Sequence, residues 1–368
     1  MSGPAATGRG AVTAEVVCLG ESMVTFVPSR PGRLADVPSF GRAIGGAESN
    51  VACALAAAGH RAKWVSRVGA DGFGDHLVDA VSAYGVDTSA VRRDPDRPTG
   101  IYFRTAADRA TGTHEVAYYR AGSAASAMSP ADLPHEELLG ARILHLSGIT
   151  AALSADCLSL LHALTEPRPG RPLISFDVNY RPHLWRGAAA GPQTLLDLAR
   201  RADLVFVGDD EAEEAWGLRG ADAIRAALPE PSVLVVKRGA EGATVFSRTR
   251  PEPSGPTPAA SDTVTTVPAL RVDVVAAVGA GDAFAAGFLS ATLRDLPVRD
   301  RARHGHLMAA AVLTVPGDLT DPPSRAHADH LAALDDTAWG RLRLGPGWTA
   351  ADRADITRST APQEVHPT

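Results

Sequence analysis

The 368-residue chain is 45% hydrophobic, enough for a large core as one big α/β domain or one domain plus a small accessory element, which excludes a disordered chain. Its 36 basic and 42 acidic residues include no long basic run, which excludes a nucleic-acid or anionic-membrane surface and favours a small metabolite as partner. Cys18, Cys53 and Cys157 are widely spaced in apolar segments and no apolar run reaches membrane-spanning length, so the reading is a cytoplasmic protein without a disulfide framework or zinc site.

Residues 1–13, small and Gly/Ala-rich, read as a disordered N-terminus. Glu15 to Glu21 is a β-branched run that predicts a first buried strand. Met23 to Ile44, broken by Pro28, Pro31 and Pro38, predicts irregular strands rather than a helix. Gly45-Gly46-Ala47-Glu48-Ser49-Asn50 then leads into an Ala-rich helix from Val51 to Ala58, closed by Gly59. The paired glycines allow a substrate close to the backbone or, equally, a close helix–strand contact. Asn50 offers both a donor and an acceptor for sugar hydroxyls.

Trp64 to Gly69 predicts another strand, and Asp71 to Asp75 a turn into the helix His76 to Tyr84. Two aromatic and β-branched runs, Thr99 to Arg104 and His114 to Arg120, predict a hairpin able to cover a site. Arg104 and Arg120 there are either site cations or solvated charges on an edge strand. Alternation resumes with a strand at Ile143 to Leu146, a helix at Ala155 to Leu164, and the strand Leu173 to Asp177. That strand delivers Asn179 and Arg181 at its carboxyl end, where open parallel sheets bind ligands and where a guanidinium can clamp a carboxylate or phosphate.

A helix from Gln193 to Arg201 precedes the strand Leu204 to Val207 and the acidic turn Gly208 to Glu214, which suits either hydrated Mg²⁺ or helix-dipole chemistry. Val233 to Phe246 reads as strand, glycine turn, strand, with Lys237 beside the turn. Arg250 to Asp262 carries four prolines and reads as an exposed, mobile loop. Val264 to Val275 rebuilds β structure, and His304 to Val315 is a further apolar helix.

Between them stands Val278-Gly279-Ala280-Gly281-Asp282-Ala283-Phe284, two glycines and an acid opening a helix from Ala283 to Leu293. Backbone N–H groups at such a turn, aided by the helix dipole, can hold a transferring phosphoryl group. Asp282 is then placed to take a proton from an attacking hydroxyl. The other reading of Asp282 is a first-turn acid stabilising a helix end.

As an ordered set over residues 15–335, these motifs resemble the ribokinase (PfkB) family of carbohydrate kinases. Gly45 to Ala52 resembles its N-terminal glycine motif, Gly69 to Gly74 its second glycine segment, and Gly279 to Asp282 its C-terminal signature. Tyr118 to Ala124 and Asp177 to Trp185 are similar to the 2-keto-3-deoxygluconate kinase branch, in which Tyr and Arg at these places bind an acidic sugar.

The resemblance implies a ribokinase-like three-layer α/β/α domain over residues 14–335, with a β-sheet lid near 22–44 and 98–122. A partly disordered C-terminal extension follows at 336–368. The implied reaction is phosphoryl transfer from MgATP to a hydroxymethyl group of an acidic sugar, foremost 2-keto-3-deoxygluconate. A neutral-sugar kinase of fructose or ribose type and a non-catalytic sugar-sensing protein are the alternatives. Asp282 is the implied base, with the amides of Gly279, Ala280 and Gly281 stabilising the transferring group. Gly45, Gly46, Asn50, Tyr102, Arg104, Tyr119, Arg120, Asn179, Arg181 and Asp318 are the implied sugar ligands. Lys237, Gly239, Gly242, Gly279 and Gly281 lie along ATP, and Glu211 holds the metal through water. Ala276 and Ala277 stand where the family usually has Asp-Thr, which leaves a potassium ion open while ATP and Mg²⁺ are expected. Gly208 to Glu211 replaces the family's Asn-x-x-Glu. Lids of this kind often pair, so a homo-oligomer, dimer or larger, is expected.

Overall fold

The structure, a computed structural model, describes residues 14–105, 115–131, 135–186, 191–248 and 262–350. The Pro-rich loop read at 250–262 thus lies outside the described residues except for Asp262, as do residues 1–13 and 351–368. An eight-stranded sheet forms the centre. From one edge it runs Ala62–Val65, Val16–Leu19, Ile143–Ser147, Leu173–Asp177, Leu204–Gly208 and Val233–Lys237, all parallel. The strands Ala243–Arg248 and Asp262–Val267 extend it antiparallel.

The parallel strands are apolar throughout because both faces are covered. Val16 and Cys18 face one core, shared with the helices Ala47–Ala57, Ala280–Leu293 and Val298–Leu313. Val17 and Leu19 face the other, shared with the helices Ala155–Thr165, Gly191–Arg201 and Ala221–Ala227. This is the three-layer architecture expected. Strand order reverses between Val16–Leu19 and Ile143–Ser147, so the crevice at their carboxyl ends is where a ligand belongs.

The lid is a separate four-stranded sheet, in the order Phe40–Gly45, Met23–Pro28, Ile101–Arg104, Val116–Tyr119. Its outer face is held by aromatic contacts, with Phe26 stacked on Phe103 at 4.7 Å and Phe40 edge-on to Phe103 at 5.2 Å.

Several boundaries differ from the sequence reading, among them the helices read from His76 and His304, which begin at Gly72 and Val298. The Ala-rich helix begins at Ala47, which puts Asn50 inside it. The run Trp64 to Gly69 is not one strand: Ala62–Val65 joins the central sheet, while Arg67–Gly69 pairs with Arg92–Asp94. The helix after the glycine turn starts at Ala280, so Asp282 is its third residue. Beyond residue 335, the helix Asp336–Arg341 and the strand Arg343–Leu344 are folded onto the body. Trp339 is 0% exposed and its indole N–H donates to the Pro268 carbonyl at 3.0 Å.

Candidate active site

Gly279 has φ 78°, a left-handed conformation suited to glycine, and a Cβ there would lie 2.7 Å from the Asp318 carbonyl oxygen. The first intrahelical bond runs from Ala283 N–H to Gly279 O at 2.9 Å. The N–H groups before it project from the positive end of the helix dipole. A Cβ on Gly281 would meet only the Lys237 Nζ, at 3.6 Å, so this face of the turn is open to a ligand.

Asp282 stands half-buried at the end of the turn, where its Oδ2 accepts a hydrogen bond from Asn50 Nδ2 at 2.9 Å. Burial pushes its carboxyl up to about 7. The Asp177 carboxylate adds to the rise, while the Asn50 bond, Lys237 and Arg181 oppose it. Asn50, expected to read sugar hydroxyls, is thus bonded to Asp282 itself. Lys237, at the end of its strand, donates to both Asp177 oxygens at 3.1 and 3.0 Å. Burial works against the Lys237 ammonium, but Asp177 and Glu211 outweigh it and raise its pKa.

A cavity of about 300 Å³ opens above this floor. Gly45 and Gly46 line it, and both sit in contacts a side chain would break. A Cβ on Gly45 would fall 2.3 Å from the Tyr102 hydroxyl, and one on Gly46 would fall 2.4 Å from the Glu21 carbonyl. Asn179 reaches the cavity from a left-handed turn, φ 40°, which asparagine tolerates better than most residues. Asp318, 8% exposed, is ion-paired with Arg104 Nη1 at 2.9 Å, and burial raises its pKa while Arg104 pulls it down.

Two expected ligands do not line the cavity: Arg104, which reaches it only through its ion pair with Asp318, and Tyr119. Tyr119 is 65% exposed and meets Phe103 on the outer face of the lid, whereas Tyr118 lines the cavity and stacks on His183 at 5.1 Å. The reason is strand alternation, since Tyr102 pairs directly with Tyr118 and shares its face. Counting back two residues from Arg120 would have chosen Tyr118. The guanidiniums are also less free than expected. Arg120 is paired with the buried Glu21, whose Oε1 also accepts from Ser123 Oγ at 2.5 Å, and Arg181 lies 3.4 Å from Glu211.

Glu21, Tyr118, Asp177 and His183 are cavity residues that the sequence reading did not assign to the site. Glu48 is a further omission, one layer out. Fully buried, it accepts 2.7 Å bonds from Ser147 Oγ and Thr150 Oγ1 and so ties the helix carrying Asn50 to the ends of the sheet. Its place inside the Gly45 to Asn50 run was visible, but its partners are about a hundred residues away.

A second groove, of about 950 Å³, meets the first at Lys237, Ala277, Ala280 and Gly281. Gly239 and Gly242 line it, Gly242 with φ 118° and no room for a Cβ beside the Val267 carbonyl. Such a groove, running to a helix N-terminus and a lysine, fits a nucleoside triphosphate. Glu211 binds the Gly208 N–H at 2.9 Å through Oε2, which leaves Oε1 toward the cavity beside Arg181. One carboxylate at the phosphate end fits a hydrated Mg²⁺, which keeps most of its waters. Ala276 and Ala277 offer no side-chain oxygen to a potassium ion.

Residues 13–325 match the family model described as pfkB family carbohydrate kinase. The chain is 36% identical over 316 residues to the 2-dehydro-3-deoxygluconokinase of Bacillus subtilis, spanning 84% of this chain and 93% of that protein. It is 34% identical over 323 residues to the 2-dehydro-3-deoxygluconokinase of Thermoproteus tenax, spanning 86% and 93%. The crystal structure of a PfkB protein from Polaromonas sp. superposes with a TM-score of 0.73 at 34% identity, covering 86% of this chain and 99% of that one. Among the described residues no helix is long and apolar enough to cross a membrane.

Proposed function

The chain belongs to the pfkB family of carbohydrate kinases, and from that premise we propose that it phosphorylates a hydroxymethyl group of an acidic sugar, foremost O6 of 2-keto-3-deoxygluconate. The observation that carries the reading is the position of Asp282, at the end of the glycine turn where the sugar cavity meets the nucleotide groove. A carboxyl with a pKa of about 7 is matched to taking a proton near neutral pH. Asp282 accepts the proton of the sugar hydroxyl as its oxygen attacks the γ-phosphorus and ADP leaves. The N–H groups at the helix start, with Lys237, face the charge on the transferring group. When bound, Mg²⁺ near Glu211 would neutralise phosphate charge.

Arg120 and Arg181, which line the cavity, support an acidic acceptor, since guanidiniums bind carboxylates bidentately. A neutral sugar is the second reading, favoured by one specific observation: Glu21 and Asp318 already pair with Arg120 and Arg104. ADP production measured across 2-keto-3-deoxygluconate, its galactonate epimer, fructose and ribose separates the two. Turnover of the neutral sugars alone would overturn the acidic assignment. The exposed outer face of the lid, with Tyr119, is the surface through which two copies would pair, and light scattering after size exclusion tests it.

A further inference from the structure

The family match ends at residue 325, yet the chain past that point returns to the nucleotide groove. The strand Arg343–Leu344 runs parallel to Arg271–Val272, whose residues line the groove. Behind it, Trp339 is clamped in the core, with the Arg303 guanidinium 4.5 Å above its ring and the Pro268 carbonyl on its indole N–H. This anchoring presents Arg341 and Arg343 as part of the groove wall, next to Arg271. Asp273 holds Arg343 through a 2.6 Å bond, whereas no salt bridge among the described residues takes up Arg271 or Arg341.

None of these three arginines lines the sugar cavity, which the groove meets at Lys237 and Gly281. They therefore stand at the nucleoside end rather than beside the transferring phosphate. The groove between is apolar, lined by Leu270, Val272, Ala309 and Leu313. A flat apolar slot edged by planar cations suits a purine base, over whose face a guanidinium stacks favourably.

We propose that the C-terminal segment Trp339 to Leu344 forms a wall of the nucleotide groove and that Arg341 and Arg343 are specificity residues that stack on the purine of the phosphoryl donor. The inference rests on the kinase reading and extends it to residues outside the family match. The test is calorimetric binding of ADP, CDP and inorganic tripolyphosphate to the intact chain and to its Arg341→Ala/Arg343→Ala variant, with steady-state KM for ATP and sugar. Both arginines are exposed, so the variant should melt with the wild type. Two stacking contacts at exposed positions correspond to about five-fold or greater weakening of ADP, with CDP weakened less and tripolyphosphate and the sugar KM unchanged. Equal ADP affinity in both proteins overturns the inference, as does an equal loss for tripolyphosphate, which would mark the arginines as phosphate contacts. A wild type that binds no ADP at all overturns the kinase reading along with it.

Discussion

Replacing Asp282 by Asn should abolish turnover while making the protein more stable in alkaline solution. The amide is nearly isosteric and retains an acceptor oxygen for Asn50, so the 2.9 Å bond survives. Loss of a general base costs about 10²–10⁴ in kcat. The stability effect follows from the same environment that makes the base. Its carboxyl is raised from 3.8 to about 7, so the fold favours the protonated form. That contribution is complete below about pH 4 and is lost as pH rises through about 7. A shift of that size corresponds at most to ~4 kcal/mol, and water at the cavity floor reduces it to ~1–2 kcal/mol. The amide never ionises, so Asp282→Asn should melt ~1–3 °C above the wild type at pH 8 and together with it near pH 4. Scanning fluorimetry at the two pH values, with coupled ADP release for turnover, measures both effects. A variant within tenfold of wild-type kcat, or one no more stable at pH 8, would refute the argument.

Tyr118→Ala should raise the sugar KM several-fold, because it removes a cavity wall and the His183 stack, while Tyr119→Ala should leave sugar kinetics unchanged; the reverse order would mean the lid register is wrong. Gly279→Ala should lower kcat at least tenfold and cost ~2 kcal/mol or more, since it forces a left-handed alanine against the Asp318 backbone; a fully active variant would show the turn relaxes without cost. Glu48→Ala should cost ~2–4 kcal/mol by leaving the Ser147 and Thr150 hydroxyls buried without their acceptor, read as a fall in the urea midpoint. Removal of divalent metal by EDTA should stop turnover reversibly, and Glu211→Ala should raise the Mg²⁺ needed to restore it; an unchanged Mg²⁺ requirement would remove Glu211 from the metal site.

The opening glycine turn, the paired glycines at Gly45 and the alternation of apolar strands with helices were legible because each is a local feature. Glycine at 279 answers a backbone angle, and a continuous apolar strand answers burial on both faces. What the chain could not disclose was partner choice. Arg104 and Arg120 were recognisable as site cations, but only the fold sets Asp318 and Glu21 against them, and this alters how much positive charge a substrate meets. Tyr118 and Tyr119 differ by one position in sequence and by a whole face of the lid in space. The parity that separates them was present in the spacing to Arg120, and the strand register made it decisive.

By itself, then, the sequence determined the alternation of strands and helices, the glycine turn and the acid at its end, because these depend on dihedral preference and hydrophobic pattern over a few residues. Only the tertiary structure decided that Asn50, 232 positions away, binds Asp282, that Glu48 locks the helix beneath it, and that residues past 335 return to the second groove. Those contacts are set by how layers pack across long chain separations, where no short-range preference carries information.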